Sequence, residues 1–102
     1  MNNETRLNLG RKKSVDLFLN HLIGKTLYDF RTDADYTQEQ AASLLNVSRL
    51  SYLRYERGNQ TLPVPVLMDF IDKLSITPTR FFNHLQRVKL KGVLKHEILL
   101  EI

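Results

Sequence analysis

The sequence predicts an all-α fold, and three observations support this class. Apolar residues recur at helical spacing along most of the chain, as Val15, Phe18 and Leu22 do near its start. Serine or threonine precedes several of these segments, at the position of a helix N-cap. Asn46 and Gly58 follow two of them, where a helix typically ends. From 102 residues we expect one small domain of five helices with a short C-terminal extension.

The composition limits the classes of function that remain. The chain has no cysteine, which excludes a disulfide framework and a thiolate metal site and is compatible with a reducing cytoplasm, where we expect the protein to act. Its first residues are polar, unlike a signal peptide, and no apolar run reaches the length of a membrane span. The formal net charge of +4 is spread evenly, so charge alone is weak evidence for nucleic acid.

The N-terminal part of the chain is expected to contain an arm and a long helix. Residues 1–13 form the flexible polar arm, whose bases either contact DNA phosphates or the minor groove or belong to a solvated terminus: Arg6, Arg11, Lys12 and Lys13. The first helix runs from Ser14 to about Thr32. Gly24 inside it costs roughly 1 kcal/mol relative to alanine, which indicates that another helix packs closely there.

Residues 37–58 are predicted to form two short helices joined by a tight turn. Thr37 and Gln40 have the spacing of a capping box, so a helix begins at this point. Asn46 tolerates the left-handed backbone conformation that ends a helix. Ser48 is the next N-cap, and Gly58 ends the second helix.

The second of these helices carries the informative surface. Tyr52 and Tyr55 are three residues apart, so both are expected to point inward. The outer side is then left with three arginines and two leucines: Arg49, Leu50, Leu53, Arg54 and Arg57. Arginines beside apolar groups suit base-pair edges and the phosphates around them, and a helix of this size fits the major groove of B-form DNA.

This stretch resembles the helix-turn-helix of the phage-repressor family of DNA-binding domains, also called the Cro/cI or xenobiotic-response-element family. The matching pieces are the TQEQAA opening, the NVS turn, the YERG close and Pro63, and the resemblance covers residues 22–85. The chain departs from the family at Ala41, where leucine is frequent, at Asn46, where glycine is frequent, and at Tyr52, where the residue is usually aliphatic.

The resemblance implies roles for individual residues. In the family, an arginine near the end of the first helix pairs with the glutamate that closes the recognition helix; here these are Arg31 and Glu56. Donors at the start of the second helix and in the loop after the recognition helix face phosphates. The expected DNA-binding residues are therefore Gln38, Ser48, Arg49, Leu50, Leu53, Arg54, Arg57, Asn59 and Thr61.

Two more helices and an extension complete the prediction. Pro65 suits the first turn of a fourth helix, and Thr77 and Pro78 suit the start of a fifth, which completes a DNA-binding domain of residues 14–87. In the extension, residues 88–102, apolar and charged residues alternate near the end, which favours a β-strand. A helix is the alternative, because Leu94 and Ile98 are four apart. Since a lone strand is unstable, it would pair with a second copy of the chain or fold back on its own domain.

No pattern of catalytic or cofactor-binding residues is present. His21, His84 and His96 lie on different predicted elements, and nucleophile, P-loop and dinucleotide motifs are absent, so we expect no enzyme, metal or cofactor.

Two functional classes remain. The first is a sequence-specific DNA-binding transcriptional regulator, expected to be a repressor that binds a two-fold symmetric operator in double-stranded DNA as a homodimer. The alternative is a protein-interaction module or antitoxin-type co-regulator that keeps the helix-turn-helix as a scaffold.

Overall fold

The computed structural model describes the backbone of residues 13–101 and the side chains of residues 16–92. The described part consists of five helices: α1 (Lys13–Asp33), α2 (Gln38–Leu44), α3 (Arg49–Arg57), α4 (Val64–Lys73) and α5 (Pro78–Glu101). This confirms the all-α, five-helix prediction. The basic arm predicted for the first residues lies outside the described residues, apart from Lys13, at which α1 begins. Within the described residues, no helix combines the length and the apolar character needed to cross a membrane.

The ends of the two central helices follow from the capping chemistry in the sequence. The Thr37 hydroxyl accepts a hydrogen bond from the Gln40 amide at 3.1 Å, and the Gln40 side chain accepts one from the Thr37 amide at 2.9 Å. Ser48 caps α3 by accepting from the Ser51 amide at 3.0 Å. Gly58 ends α3 in the left-handed region, at φ 73°, where an L side chain is strained. Local chemistry therefore determines where α2 and α3 begin and where α3 ends.

The strand predicted within residues 88–102 is wrong for the residues that the structure describes, because α5 continues through them to Glu101. A helix satisfies its backbone amides within the segment, whereas a strand needs a neighbour to supply its hydrogen bonds. The four-residue spacing of Leu94 and Ile98 was therefore the relevant period. The extension is a continuation of the fifth helix.

The hydrophobic core draws on all five helices. Its largest fully buried side chains include Tyr52 from α3, Phe70 from α4, and Phe81 from α5. The Phe81 ring stacks on Phe30 of α1 with centroids 5.7 Å apart and meets the Phe70 ring edge-on at 6.3 Å. Aromatic pairs in these geometries add stability beyond the area that they bury.

Gly24 allows α1 to approach α3 more closely than any other residue would. A Cβ atom at this position would overlap the backbone oxygen of Glu56 and lie 2.7 Å from that of Tyr55. At the other side of the same contact, a Cβ at Gly58 would lie 2.7 Å from Nδ1 of His21. The backbones of the two helices are thus nearly in van der Waals contact, as the sequence predicted for Gly24.

Helix α5 is attached to α1 by a polar contact that the sequence analysis missed. His84 Nε2 lies 2.8 Å from Asp29 Oδ2, and the His84 ring packs edge-on against Phe30 at 5.2 Å. Partial burial alone would raise the pKa of Asp29, but hydrogen bonds from His84 and Lys25 outweigh it, so the pKa lies below its ordinary value. The ionised carboxylate therefore holds α5 against the C-terminal half of α1.

The close approach at Gly24 gives a stability prediction with a control in the same chain. Gly24→Ala should lower the free energy of unfolding by about 3 kcal/mol, because the added methyl group must push α1 and α3 apart. Gly92→Ala should instead raise it by up to about 1 kcal/mol, since a Cβ there meets nothing within 4 Å and alanine favours the helix. Urea unfolding measures both, and equal stabilities for the two variants would contradict the close approach.

Candidate nucleic-acid interface

The outer surface of α3 presents a continuous stripe of basic and apolar side chains. Arg49, Leu50, Arg54 and Arg57 are exposed and Leu53 is partly exposed. Tyr52 and Tyr55, on the opposite side of the helix, are buried. The inward tyrosines thus orient α3 so that the arginines and leucines face solvent together, over a helix about 13.5 Å long.

The three arginines of this stripe are electrostatically free. Among the described residues, none of Arg49, Arg54 and Arg57 takes part in an ion pair. The single acid of the helix, Glu56, is turned away from them, with a side chain only 4% exposed. The stripe therefore carries three positive charges that no described acid neutralises, which favours an anionic partner.

Glu56 receives a buried, two-point hydrogen bond from Arg31 of α1. Arg31 Nε lies 2.5 Å from Glu56 Oε2, and Arg31 Nη2 lies 3.1 Å from Oε1. Arg31 also donates to the carbonyl oxygen of Tyr36 at 2.7 Å. The Glu56 carboxylate raises the pKa of Arg31, and paired charges of this bidentate kind are geometrically specific. The pair that the family resemblance implies thus joins α1 to the end of α3 and to the loop before α2.

The Tyr52 hydroxyl is buried beside this pair and has no hydrogen-bond partner among the described residues that meets ordinary geometric limits. Burial raises the pKa of Tyr52 far above its usual range, and the neighbouring Glu56 carboxylate raises it further. Tyr52 is therefore a neutral phenol at any physiological pH. A buried hydroxyl without a partner lowers the stability of a fold by about 1–3 kcal/mol. An aliphatic side chain, which the resembling family usually has at this position, avoids that loss.

The remaining residues predicted to bind DNA lie at the two ends of the α3 stripe. At one end, Ser48 is exposed, and its hydroxyl donates to that of Ser51 at 2.9 Å. At the other end, Asn59 and Thr61 are exposed in the loop after α3, and Thr61 Oγ1 accepts from Asn20 of α1 at 3.3 Å. These residues are thus exposed and flank the arginines of α3 on both sides along the chain.

Gln38 differs from its expected role in one respect. Its side chain is half-buried, and Nε2 donates to Glu56 Oε1 at 3.2 Å instead of pointing freely outward. One amide hydrogen remains for another acceptor. Gln38 therefore also links the start of α2 to the Arg31–Glu56 pair.

Sequence reasoning missed three exposed polar residues of α1 that lie beside this surface. His21, Lys25 and Tyr28 follow one another at spacings of four and three residues and line a depression with Gln38, Glu56 and Arg57. The sequence does contain a signal for them, because polar residues at positions i, i+4 and i+7 lie on one side of a helix.

The fold and the exposed stripe define a helix-turn-helix protein, and comparison with known families agrees. Residues 27–81, more than half of the chain, match the helix-turn-helix family model. The chain belongs to this family, the phage-repressor-like class that the TQEQAA, NVS and YERG segments resemble. No curated protein matches the chain.

Two solved proteins with the same fold are similar over most of their length. One is the clp gene regulator ClgR from Corynebacterium glutamicum, at 19% identity and a TM-score of 0.72, covering 80% of this chain and 88% of that one. The other is the restriction-modification controller protein C.Esp1396I, at 25% identity and a TM-score of 0.67, covering 72% of this chain and 96% of that one. The architecture of this chain is thus that of compact helix-turn-helix proteins.

The buried ion pair gives a second stability prediction. Glu56→Gln should lower the free energy of unfolding by about 3 kcal/mol, because it leaves the Arg31 charge buried without its counter-ion. Asp69→Asn is the matched control: it removes the same kind of charge from the pair of Asp69 with Lys73, whose side chains are 38% and 40% exposed. That change should cost no more than about 1 kcal/mol. Chemical denaturation separates the two, and losses of equal size would show that the buried pair is not special.

Proposed function

We propose that this protein is a sequence-specific DNA-binding transcriptional repressor that acts in the cytoplasm as a homodimer, with α3 as its recognition helix. One observation carries the proposal: the outer side of α3 presents three exposed arginines that form no ion pair with any described residue, held outward by two buried tyrosines and a buried ion pair. An α-helix with such a surface fits the major groove, where base edges and phosphates lie within reach of arginine.

Within the stripe, the first turns of α3 are assigned to base reading. Arg49 and Arg54 would each donate two parallel hydrogen bonds to a guanine, the commonest specific contact in the major groove. Leu50, 54% exposed, and Leu53 offer apolar surface to thymine methyl groups. The mixture of two donors and two apolar groups gives this helix the means to distinguish bases.

The residues around the stripe are assigned to phosphate contacts. Arg57 and the loop residues Asn59 and Thr61 lie at the C-terminal end of α3, whereas Ser48 lies at its N-terminal end. Gln38 contributes its free amide hydrogen from the start of α2. Such contacts set the register of a protein on DNA without reading sequence.

The similar proteins support a regulatory role. C.Esp1396I is described as a restriction-modification controller, and ClgR as a clp gene regulator. Both carry the fold of this chain. Their regulatory functions favour transcriptional control over a purely structural use of the helix-turn-helix.

Apolar side chains outside the α3 stripe support self-association. Phe82 and Leu90 of α5 are 48% and 59% exposed, and at the start of α1 Leu17, Phe18 and Leu19 are exposed as well. Val64 and Met68 of α4 are exposed too, but α1 and α5 pack against each other, so their apolar groups can form one interaction surface. A two-fold dimer uses one such surface twice and places two recognition helices about 34–36 Å apart on DNA. We assign this role to α5 with its extension, residues 88–102, and to the early turns of α1.

Base reading is tested with arginine substitutions. Arg49→Ala or Arg54→Ala should weaken binding to the preferred DNA site by about 1–3 kcal/mol and relax its sequence, because a bidentate contact is lost. Arg87→Ala, which removes an exposed arginine from α5, is the control and should leave the preference unchanged. Selection from a random DNA pool followed by fluorescence anisotropy measures both effects. An unaltered preference in both α3 variants would refute the assignment.

Dimerisation is tested with two leucines of similar exposure. Leu90→Glu should shift the protein from dimer to monomer at micromolar concentration, because it places a charge in the proposed interface. Leu50→Glu introduces the same charge on α3 and should leave the dimer intact. Sedimentation equilibrium reports the mass of each variant and of a chain lacking residues 93–102. If the truncated chain and Leu90→Glu both remain dimers, α5 is not the interface.

A further inference from the structure

A shallow depression of about 560 Å³ separates the outer side of α1 from the end of α3. Its lining residues are His21, Lys25, Tyr28, Gln38, Glu56 and Arg57. We propose that this α1 depression binds a phosphate of the DNA backbone, so that α1 extends the protein–DNA contact beyond the helix-turn-helix. The inference rests on the proposed function and adds His21, Lys25 and Tyr28 to the interface.

The chemistry of the lining suits an anion with several oxygen atoms. Lys25 and Arg57 are exposed cations, and the Tyr28 hydroxyl and the His21 ring are further hydrogen-bonding groups. The Tyr28 hydroxyl has no hydrogen-bond partner among the described residues, and the residue as a whole is 44% exposed. A hydroxyl that no described residue uses, beside two exposed cations, offers the converging donors that a phosphate requires.

The acid in the depression does not oppose this use. Glu56 accepts hydrogen bonds from Arg31 and from Gln38, and its side chain is 4% exposed. Its charge is thus neutralised within the protein. Lys25 Nζ forms an ion pair with Asp29 Oδ1 at 2.8 Å, but the Lys25 side chain remains 53% exposed. The ammonium group therefore retains donors for a ligand.

Tyr28 is held in place by two cations. Lys25 Nζ lies 4.8 Å from the centre of the Tyr28 ring, and Arg31 Cζ lies 5.4 Å from it. Cations within about 6 Å of a ring are attracted to its face. The phenol is therefore oriented before any ligand arrives, which reduces the entropy that binding would cost.

The depression is continuous with the proposed DNA surface. Arg57 belongs both to the exposed stripe of α3 and to the lining of the depression. His21 packs against Gly58, directly after Arg57, and Asn20 holds Thr61 of the following loop. A DNA backbone that passes Arg57 and Thr61 would next reach Lys25 and Tyr28. The phosphate bound there would lie one or more positions along the strand from the phosphates that the loop contacts.

The inference is tested on the full chain with Lys25→Gln and Tyr28→Phe. Lys25→Gln should lower the salt slope of DNA binding by about one unit, on the selected site and on an unrelated duplex alike. Tyr28→Phe removes a single hydroxyl and should weaken both complexes roughly fivefold. Lys73→Gln is the control of equal charge: Lys73 of α4 pairs with Asp69 as Lys25 pairs with Asp29 but lies outside the depression, so its loss should change neither quantity. Unfolding midpoints show whether the loss of the Lys25–Asp29 pair affects folding.

A scan with single neutral methylphosphonates in the selected duplex locates the phosphate. In the unmodified protein, one substitution outside the reach of the loop should weaken binding, and in Tyr28→Phe the same substitution should have a smaller effect. If no position shows this coupling, and both variants bind like the unmodified protein while Arg57→Ala binds more weakly, the inference is overturned and the proposed function stands. If the unmodified protein binds no duplex at all, both fail.

Discussion

The contact between α1 and α3 determines the position of every residue proposed to bind DNA. It has a close-packed part at Gly24, where the two backbones nearly touch, and a charged part at Arg31 and Glu56. The two parts lie two helical turns apart on α1, about 10 Å. Both parts meet α3 at its last turn, at Tyr55 and Glu56, and fix this end of the helix against α1. The buried side chain of Tyr52 then keeps the arginine stripe on the outer side.

The other elements depend on the same long helix. α1 packs directly against both α3 and α5, and α2 packs against α3. Tyr36 and Gln38 connect the start of α2 to the Arg31–Glu56 pair, and Asp29 connects α5 to α1 through His84. Among the described residues, most hydrogen bonds between side chains of different helices therefore involve α1 or a residue bonded to it.

The features that could be predicted from the sequence are local ones. Capping by Thr37 and Ser48 and termination at Gly58 depend on a few neighbouring residues, and the inward direction of Tyr52 and Tyr55 follows from their spacing. The Arg31–Glu56 pair, by contrast, joins residues 25 positions apart, and only the family resemblance indicated it. The Asp29–His84 contact spans 55 positions, has no such precedent in the sequence, and was missed. The C-terminal extension fits both the two-residue period of a strand and the four-residue spacing of a helix. The residues alone could not decide between them, because a strand needs hydrogen bonds from another segment and a helix does not.

Because α1 packs directly against both α3 and α5, it would act as the spacer between the part of the molecule that would read DNA and the part that would join two copies. In a dimer held together through α5, the distance between the recognition helices would then be set by the angles at which α3 and α5 cross α1. The close approach at Gly24 fixes the first of these angles, and the Asp29–His84 contact fixes the second. The separation of the two halves of an operator would thus be encoded in helix packing remote from every base, independently of which bases α3 prefers.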